Sequence, residues 1–330
     1  MERKISMKEI YIGDIEGFRI GNAENKEAAT GCTAVISEEG AVGGANTRGG
    51  GPASRETELL KPENMVQKIH CVMLSGGSAY GLDACSGAMK YLEEKNIGFD
   101  VGVGVVPIVC GASIFDLAVG DSKIRPDKEM GYEACVNSEK NEFKEGNFGE
   151  GTGASVGKIL GKDYAMKSGL GTYAVKIGDI KISAVVSVNA LGDVFDMEEG
   201  RTVSGLLNED KKSFRSSFSV MASSADKGKN VFGNNTTIGC IITNADLTKT
   251  EVNRVARIAH NGFAKSISPA HTSADGDTIF AMASGRAEAD VDVIAQVAAE
   301  VMRKAVIRAA KKAESEYGLI SHNEINKTVL

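Results

Sequence analysis

The sequence predicts a layered α/β or α+β sandwich, in which helices cover a central sheet. Three observations favour this fold class. Short apolar runs recur along the chain and alternate with segments of helical periodicity. Two alternating runs, Tyr173–Ile177 and Lys181–Asn189, are joined by Gly178-Asp179, a pattern typical of a β-hairpin. The last third of the chain has the order strand, helix, strand, helix, which a layered sheet accommodates.

Length and composition limit the class of protein. The chain has 330 residues, of which 42 % are apolar and 25 % charged, as in ordinary globular proteins. We treat residues 1–330 as a single domain, which is large enough to be stable without disulfides or structural metal ions. The net charge of −6 disfavours nucleic acid as a partner. No stretch approaches the roughly 18 clean apolar residues of a membrane span, and the N-terminus lacks the apolar segment of a signal peptide.

The six cysteines form no C-x-x-C pair and stand mostly among apolar or small residues. We therefore expect buried free thiols in a reducing cytoplasm. They are Cys32, Cys71, Cys85, Cys110, Cys135 and Cys240.

The first 60 residues alternate short apolar runs with Gly clusters. Tyr11–Gly13 and Thr33–Ile36 are predicted as strands. Residues 47–57 form a loop by composition. This loop is either a flexible connector or a shaped wall, in which Gly permits close backbone approach and Arg48 or Arg55 faces a carboxylate.

A buried strand, Cys71–Ser75, precedes the first predicted helix. The chain passes through Gly76-Gly77-Ser78 into a segment whose apolar residues form one helical stripe. The Gly-Gly-Ser turn matches neither G-x-G-x-x-G nor the P-loop, so tight strand-to-helix packing is favoured over anion binding.

Polar composition predicts two irregular regions. Residues 125–148 are expected to form a surface excursion, and Gly149–Gly153 has the composition of a turn. Residues 196–230 have little apolar periodicity, so we expect poor order there.

The last third begins with Thr237–Asn244, an apolar run that predicts a buried strand. Thr248-Lys-Thr-Glu251 is a capping box that opens a helix. Thr278–Ala283 predicts another buried strand after a polar turn. A long helix follows from about residue 292 to 314, and its late basic residues suit a helix C-terminus and solvent.

The dipeptide Asn235-Thr236 stands at the start of this strand. Such a pair is most often a turn or a strand cap. It is also a place where a chain can cut itself and leave Thr236 as a new N-terminus. A free N-terminal Thr carries a base, its α-amine, within reach of its own hydroxyl nucleophile.

Asp275 and Asp277 flank one Gly, one strand-helix-strand unit after Thr236, so both can return to the mouth of the Thr236 strand. Two carboxylates there would orient and polarise a hydroxyl and an ammonium. The alternatives are an ordinary turn and a fragment of an EF-hand loop, whose spacing and terminal Glu are missing. His260 and His271 are interpreted as cap or surface residues.

Six motifs occur in order along the chain: Thr47–Pro52, Leu74–Asp83, Val106–Val109, Gly151–Ala154, Asn235–Ile238 and Asp275–Asp277. Together they resemble the self-processing L-aminopeptidase D-amidase/D-esterase family, which includes β-peptidyl aminopeptidases and nylon-oligomer hydrolases. The resemblance covers nearly the whole chain. It is greatest to the 6-aminohexanoate-oligomer (nylon-oligomer) hydrolases, which share Asn-Thr and Asp-Gly-Asp, whereas the aminopeptidases tend to use Ser and Ser-Gly-Glu.

The resemblance implies a four-layer αββα sandwich of the N-terminal-nucleophile-hydrolase type, an α+β fold. It implies cleavage between Asn235 and Thr236 into fragments 1–235 and 236–330 that stay together. It further implies a homo-oligomer, a tetramer of processed protomers, and a mechanism that needs no metal or organic cofactor.

The resemblance also implies the catalytic residues. Thr236 matches the nucleophile, and Asp275 and Asp277 match the acidic pair beside it. Lys158 matches a lysine that supports the nucleophile, and Asn189 matches the asparagine of the oxyanion hole.

The substrate-binding residues differ from the family pattern at one position. Phe115 stands where relatives place a Tyr, so either Tyr80 or Tyr132 substitutes for it or the contact is absent. Arg48 completes the predicted substrate-binding set.

These residues predict a hydrolase that acts through an acyl-enzyme on N-terminal residues of peptides, amino-acid amides, β-peptides or aminohexanoate oligomers. Two alternatives stay open. One is acyl transfer of the ornithine-acetyltransferase kind, since those enzymes also self-cleave before a Thr. The other is an uncleaved homologue that binds without catalysis.

Overall fold

A computed structural model describes residues 7–140, 142–225 and 235–329. Its strands, in chain order, are β1 (Lys8–Ile10), β2 (Arg19–Asn25), β3 (Thr30–Thr47), β4 (Ser54–Arg55), β5 (Lys68–Ser75), β6 (Phe99–Asp100), β7 (Val105–Val106), β8 (Val109–Ser113), β9 (Ser155–Val156), β10 (Met166–Lys167), β11 (Leu170–Ile177), β12 (Ile180–Asn189), β13 (Asp193–Asp196), β14 (Arg201–Ser204), β15 (Thr236–Asp246), β16 (Ile267–Ser268) and β17 (Thr278–Glu288). The α-helices are α1 (Ala84–Glu94), α2 (Lys128–Asn137), α3 (Ser217–Ser223), α4 (Lys249–Ser266), α5 (Val291–Lys312) and α6 (His322–Val329). Short 3-10 turns include Ile12–Asp14, Ser78–Asp83 and Gly149–Gly153.

One large sheet runs through the molecule in the order β1-β11-β12-β15-β17-β3-β5-β8-β4, and β2 pairs with β3 beside this path. The long strand β3 joins the two halves of the sheet. Its first part pairs with β2 and β5, and its second part pairs with β17. The register of β3 against β5 shifts between Ile36 and Ala41, which marks an irregularity where the strand passes from one half to the other.

Three buried clusters show that the two halves of the sheet are stacked. Helices α4 and α5 pack on the β11–β17 half, through residues such as Phe263 and Met302. Helices α1 and α2 pack on the β3–β5 half, through Tyr91 among others. A third cluster contains Val72 of β5 and Phe280 of β17. Because it combines residues of both halves of the sheet, it fills the space between them. The order is helix, sheet, sheet, helix, which is the predicted four-layer arrangement.

Strand β15 is buried on both faces. Ile238, Cys240 and Ile242 enter the central cluster, whereas Ile241 faces α4 and α5, as the two-residue period of a strand requires. This explains why the run after Thr236 has so few polar residues. The predicted hairpin, the capping box at the start of α4 and the six buried free cysteines are likewise confirmed.

Some predicted elements were wrong. Residues 12–14 form a 3-10 turn in place of a strand. The excursion at 125–148 contains α2, which was missed because small residues carry its packing face. A Cβ built on Gly131 would lie 2.0 Å from the Ala84 carbonyl oxygen, so α1 and α2 touch backbone to backbone. The polar region after 196 contains β14 and α3, and residues 226–230 lie outside the described residues.

The described residues contain no helix that combines the length and the apolar character needed to cross a membrane.

Candidate active site

The peptide bond before Thr236 lies at the centre of a buried polar cluster. Asn235 and Thr236 are 2 % and 4 % exposed. The Thr236 hydroxyl donates a hydrogen bond to the Asn235 carbonyl oxygen. The backbone N–H of Gly276 donates to the same oxygen at 2.9 Å. The Asn235 carbonyl oxygen thus accepts from a hydroxyl, a group that can act as a nucleophile, and from a main-chain N–H.

Strand pairing brings the acidic turn to this point. Strands β15 and β17 run parallel with α4 as the crossover, and Asn235 forms an isolated bridge with Asp275. Sequence reasoning placed Asp275 and Asp277 at the mouth of the Thr236 strand, and the structure brings them there. Asp275 and Asp277 are each 2 % exposed.

The two carboxylates have different partners. Asp275 Oδ2 accepts from the N–H and the hydroxyl of Thr272, each at 2.7 Å. Asp277 Oδ1 accepts from the Thr237 N–H at 2.8 Å, directly beside Thr236. Burial, and after it the negative charge of Asp277, raises the pKa of Asp275.

Lys158 reaches the site through Asn189, which pairs across the sheet with Thr236. The Lys158 ammonium donates to the backbone oxygen and to Oδ1 of Asn189, both at 2.8 Å. Burial lowers the pKa of Lys158 to about 7, against the opposing effect of Asp275, Asp116 and Asp277. A lysine that titrates near neutral pH can exchange protons with a hydroxyl.

Both polar atoms of the Asn189 side chain have hydrogen-bond partners. Oδ1 accepts from the Ser155 N–H at 3.1 Å as well as from Lys158. Nδ2 donates to the Phe115 carbonyl at 2.9 Å. One N–H of the amide group that an oxyanion hole would use therefore bonds to Phe115.

The Gly-rich loop packs against the acidic turn as a shaped wall. The N–H groups of Gly49 and Gly51 donate to the backbone oxygens of Asp277 and Asp275. A Cβ on Gly49 would lie 2.2 Å from the Asp275 oxygen, so only Gly fits there.

The predicted arginine contacts were wrong. Arg48 donates to the Arg257 carbonyl, and Arg55 donates to Ser86 and Met89. Within the described residues, neither arginine forms a salt bridge with a carboxylate, because the loop presents its backbone to the acidic turn.

The predicted substrate-binding aromatics are dispersed. Phe115 touches the site through its carbonyl. Tyr80 is 61 % exposed and stacks with Arg125. Tyr132 lies on α2 and donates to Glu94 of α1. The contacts of Tyr132 thus lie in the outer helix layer, and its substitution for Tyr at position 115 stays a prediction.

Sequence reasoning missed two histidines. His260 is fully buried, bonds to the Asn46 oxygen and has a pKa lowered to about 4 by burial. His271 bonds to Asp277 through Nδ1 at 2.8 Å. Neither is a cap or a surface residue. The position of His271, in the loop that leads into the Asp-Gly-Asp turn, was the available signal.

Asp116 was missed as well, although it directly follows Phe115. Its carboxylate accepts from the Thr30 hydroxyl and from the Gly77 N–H, each at 2.7 Å. Burial raises the pKa of Asp116 to about 6. The contact with Gly77 explains the conformation of the Gly-Gly-Ser turn, which packs tightly as predicted.

The model of the family described as Peptidase family S58 matches residues 11–323. The chain belongs to this family. It is 38 % identical to an uncharacterised aminopeptidase of Mycobacterium leprae, over 93 % of this chain and 92 % of that protein. It is 30 % identical to a 6-aminohexanoate-oligomer endohydrolase of an Agromyces species, over 92 % of this chain and 87 % of that protein.

A solved structure shares the fold of this family S58 chain. The L-aminopeptidase D-Ala-esterase/amidase of Ochrobactrum anthropi, described as a variant of the Ntn-hydrolase fold, superposes with a TM-score of 0.68 at 17 % identity. The match covers 97 % of this chain and 93 % of that one. The fold is therefore of the Ntn-hydrolase type, and the family and the names of its members support a hydrolase.

Proposed function

We propose that this chain is a self-processing amide hydrolase whose nucleophile is Thr236, freed as a new N-terminus by cleavage after Asn235. The single observation that supports it most is the double contact of the Asn235 carbonyl oxygen, with the Thr236 hydroxyl and the Gly276 N–H. A hydroxyl next to a carbonyl whose oxygen is held by a donor is the arrangement from which acyl transfer can begin.

Self-cleavage would proceed in two steps. Thr236 Oγ1 attacks the Asn235 carbonyl carbon and its proton passes to the departing amide nitrogen, so an ester replaces the amide. Water then hydrolyses the ester, which leaves the Asn235 carboxylate and the free amine of Thr236. The Gly276 N–H would hold the oxyanion of the first step.

Turnover reuses the same hydroxyl. Thr236 Oγ1 attacks a substrate amide, the amine product leaves with a proton, and water hydrolyses the acyl-enzyme. Lys158 or the new α-amine would accept the hydroxyl proton. Asp275 and Asp277 would orient the ammonium form of that amine, and the Asn189 amide would serve the oxyanion.

The names of the relatives support the proposed substrate class. One is an aminopeptidase and another a 6-aminohexanoate-oligomer endohydrolase, so we expect this chain to act on N-terminal residues of peptides, amino-acid amides or related oligoamides. Phe115, Tyr80, Tyr132 and Arg48 stay predicted substrate contacts. We further expect a cytoplasmic homo-oligomer, a tetramer of processed protomers, which light scattering of the purified protein tests.

A denaturing gel tests the nucleophile. The chain of 34.7 kDa should convert into fragments 1–235 and 236–330, and the smaller should begin Thr-Thr-Ile-Gly. Thr236→Ala should stay whole, whereas Thr236→Ser keeps the hydroxyl and should still cleave. A wild-type chain that stays whole on long incubation, or Thr236→Ala that still splits, would refute the proposal. Assays with amino-acid p-nitroanilides and with oligoamides then compare the substrate classes.

A further inference from the structure

His271 makes two hydrogen bonds to one oxygen of Asp277. Its backbone N–H donates to Oδ2 at 3.0 Å, and its ring nitrogen Nδ1 contacts the same oxygen at 2.8 Å. The residue has a φ of 60°, a left-handed conformation that is uncommon for a residue with a side chain. This backbone allows both donors to converge on one atom.

The surroundings hold the ring in place. His260 packs edge-on against it, with 4.9 Å between the ring centres, and is itself fixed by the Asn46 oxygen. The other ring nitrogen, Nε2, is buried and has no hydrogen-bond partner among the described residues. A neutral ring with its proton on Nδ1 fits both facts, since Nε2 then carries no N–H that would need an acceptor.

The other oxygen of Asp277 leads to the nucleophile. Oδ1 accepts from the Thr237 N–H at 2.8 Å, and Thr237 directly follows Thr236. A carboxylate held by two donors on one oxygen has a fixed orientation for its second oxygen. The start of β15, and with it the Thr236 hydroxyl, is therefore positioned by a chain of contacts that begins at His271.

We propose that His271 is a positioning residue: through Asp277 it holds the start of β15 so that Thr236 Oγ1 meets the Asn235 carbonyl. This inference rests on the proposed function. Small displacements of a nucleophile cost large factors in rate because catalysis depends on near-attack geometry. The strain of the left-handed residue agrees with this role, since such strain persists where neighbouring structure fixes it.

Two substitutions distinguish the contribution of the ring donor of His271 from that of its backbone conformation. Glycine and asparagine both adopt the left-handed conformation readily, but only asparagine has a side-chain N–H that can replace Nδ1. We expect His271→Asn to cleave itself and turn over substrate at close to the wild-type rate. His271→Gly should slow both processes by about tenfold or more, the factor that a hydrogen bond to a charged group typically represents, with KM little changed.

The comparison includes its own controls. His70→Asn, at a histidine that contacts the Ile108 N–H away from the site, should leave both rates unchanged. If His271→Gly folds poorly, Nδ1-methylhistidine at 271 keeps the ring and removes the donor, and it should slow cleavage in the same way. Equal rates for His271→Gly and wild type, or an Asn variant as slow as the Gly variant, would overturn the inference alone. A wild-type chain that never cleaves would overturn the proposed function and this inference with it.

Discussion

The amide nitrogen of Gly276 lies 2.9 Å from the carbonyl oxygen of Asn235, so the acidic turn supplies a main-chain donor to the bond before Thr236. The same glycine leaves room for the Thr236 hydroxyl. A Cβ built on Gly276 would lie 2.8 Å from Thr236 Oγ1 and 3.0 Å from the Gly51 oxygen. The Gly of Asp-Gly-Asp therefore has a steric role of its own, and the sequence motif alone does not indicate it.

Gly276→Ala should slow self-cleavage strongly. The new methyl group must push against either Thr236 or the Gly51 backbone, and we expect this to shift the Gly276 N–H away from the Asn235 oxygen. Loss of one oxyanion donor typically costs about 10²–10³ in rate, so we expect a decrease of about a hundredfold, measured as the half-time of the intact band on a denaturing gel.

Gly51→Ala is the matched control for that experiment. A Cβ there would meet nothing closer than 3.9 Å, although Gly51 belongs to the same wall. Its effect on the half-time should be far smaller. Similar half-times for the two variants would show that the close approach at Gly276 is unimportant.

Glu150→Gln should stabilise the protein at alkaline pH. Glu150 is fully buried, and burial raises its pKa from 4.5 to about 8. Between those values the folded state binds more protons than the unfolded state, so the stability of the wild type falls as pH rises. Glutamine removes this penalty. Its advantage in the free energy of unfolding should grow between about pH 5 and pH 8 and exceed about 1 kcal/mol above pH 8.

Urea unfolding at about pH 6 and pH 9 measures this difference. Glu93→Gln, at an exposed position on α1, serves as the control and should show no such trend. An advantage for Glu150→Gln that is the same at both pH values would contradict the assignment of a buried, titrating carboxyl.

Gly131→Ala should destabilise the protein although alanine is the better helix former. Helix propensity favours Ala by about 1 kcal/mol. The new Cβ, however, would lie 2.0 Å from the Ala84 carbonyl oxygen, and overpacking of this kind costs about 1–3 kcal/mol. We expect a lower thermal midpoint than wild type, whereas Glu133→Ala, exposed on the same helix, should leave it unchanged or higher.

Gly131 also illustrates what the sequence could not reveal about the fold. Strand β15 and helix α4 were predictable because their apolar periodicity and capping box are local signals. Helix α2 was not, because its contact face consists of Gly131, Ala134 and Cys135, residues that produce no hydrophobic stripe. Backbone contact between helices becomes visible only when both partners are in place.

The candidate active site likewise has features that the sequence could predict and features that it could not. The positions of Asp275 and Asp277 followed from one strand-helix-strand unit, which the residue pattern contains. The bond from His271 to Asp277 and the donor at Gly276 depend on the conformation of the turn, and a backbone N–H is the same in every residue type except proline. Lys158 came from the resemblance alone, since its path to Thr236 runs through Asn189 on another strand.

The lowered pKa of Lys158 predicts how the rate of self-cleavage depends on pH. Its pKa of about 7 means that the neutral amine, the form that would accept the Thr236 hydroxyl proton, rises about tenfold between pH 6 and pH 8. Precursor kept at low pH and transferred to a pH series should therefore cleave faster as pH rises, with a plateau above about pH 8. Self-cleavage is the informative reaction because the Thr236 nitrogen is still an amide, so no α-amine titrates.

Lys158→Arg keeps the positive charge but is protonated throughout this range, and it should cleave slowly at every pH. A wild-type rate that stays flat from pH 6 to pH 8, or an arginine variant with the wild-type profile, would exclude Lys158 as the base.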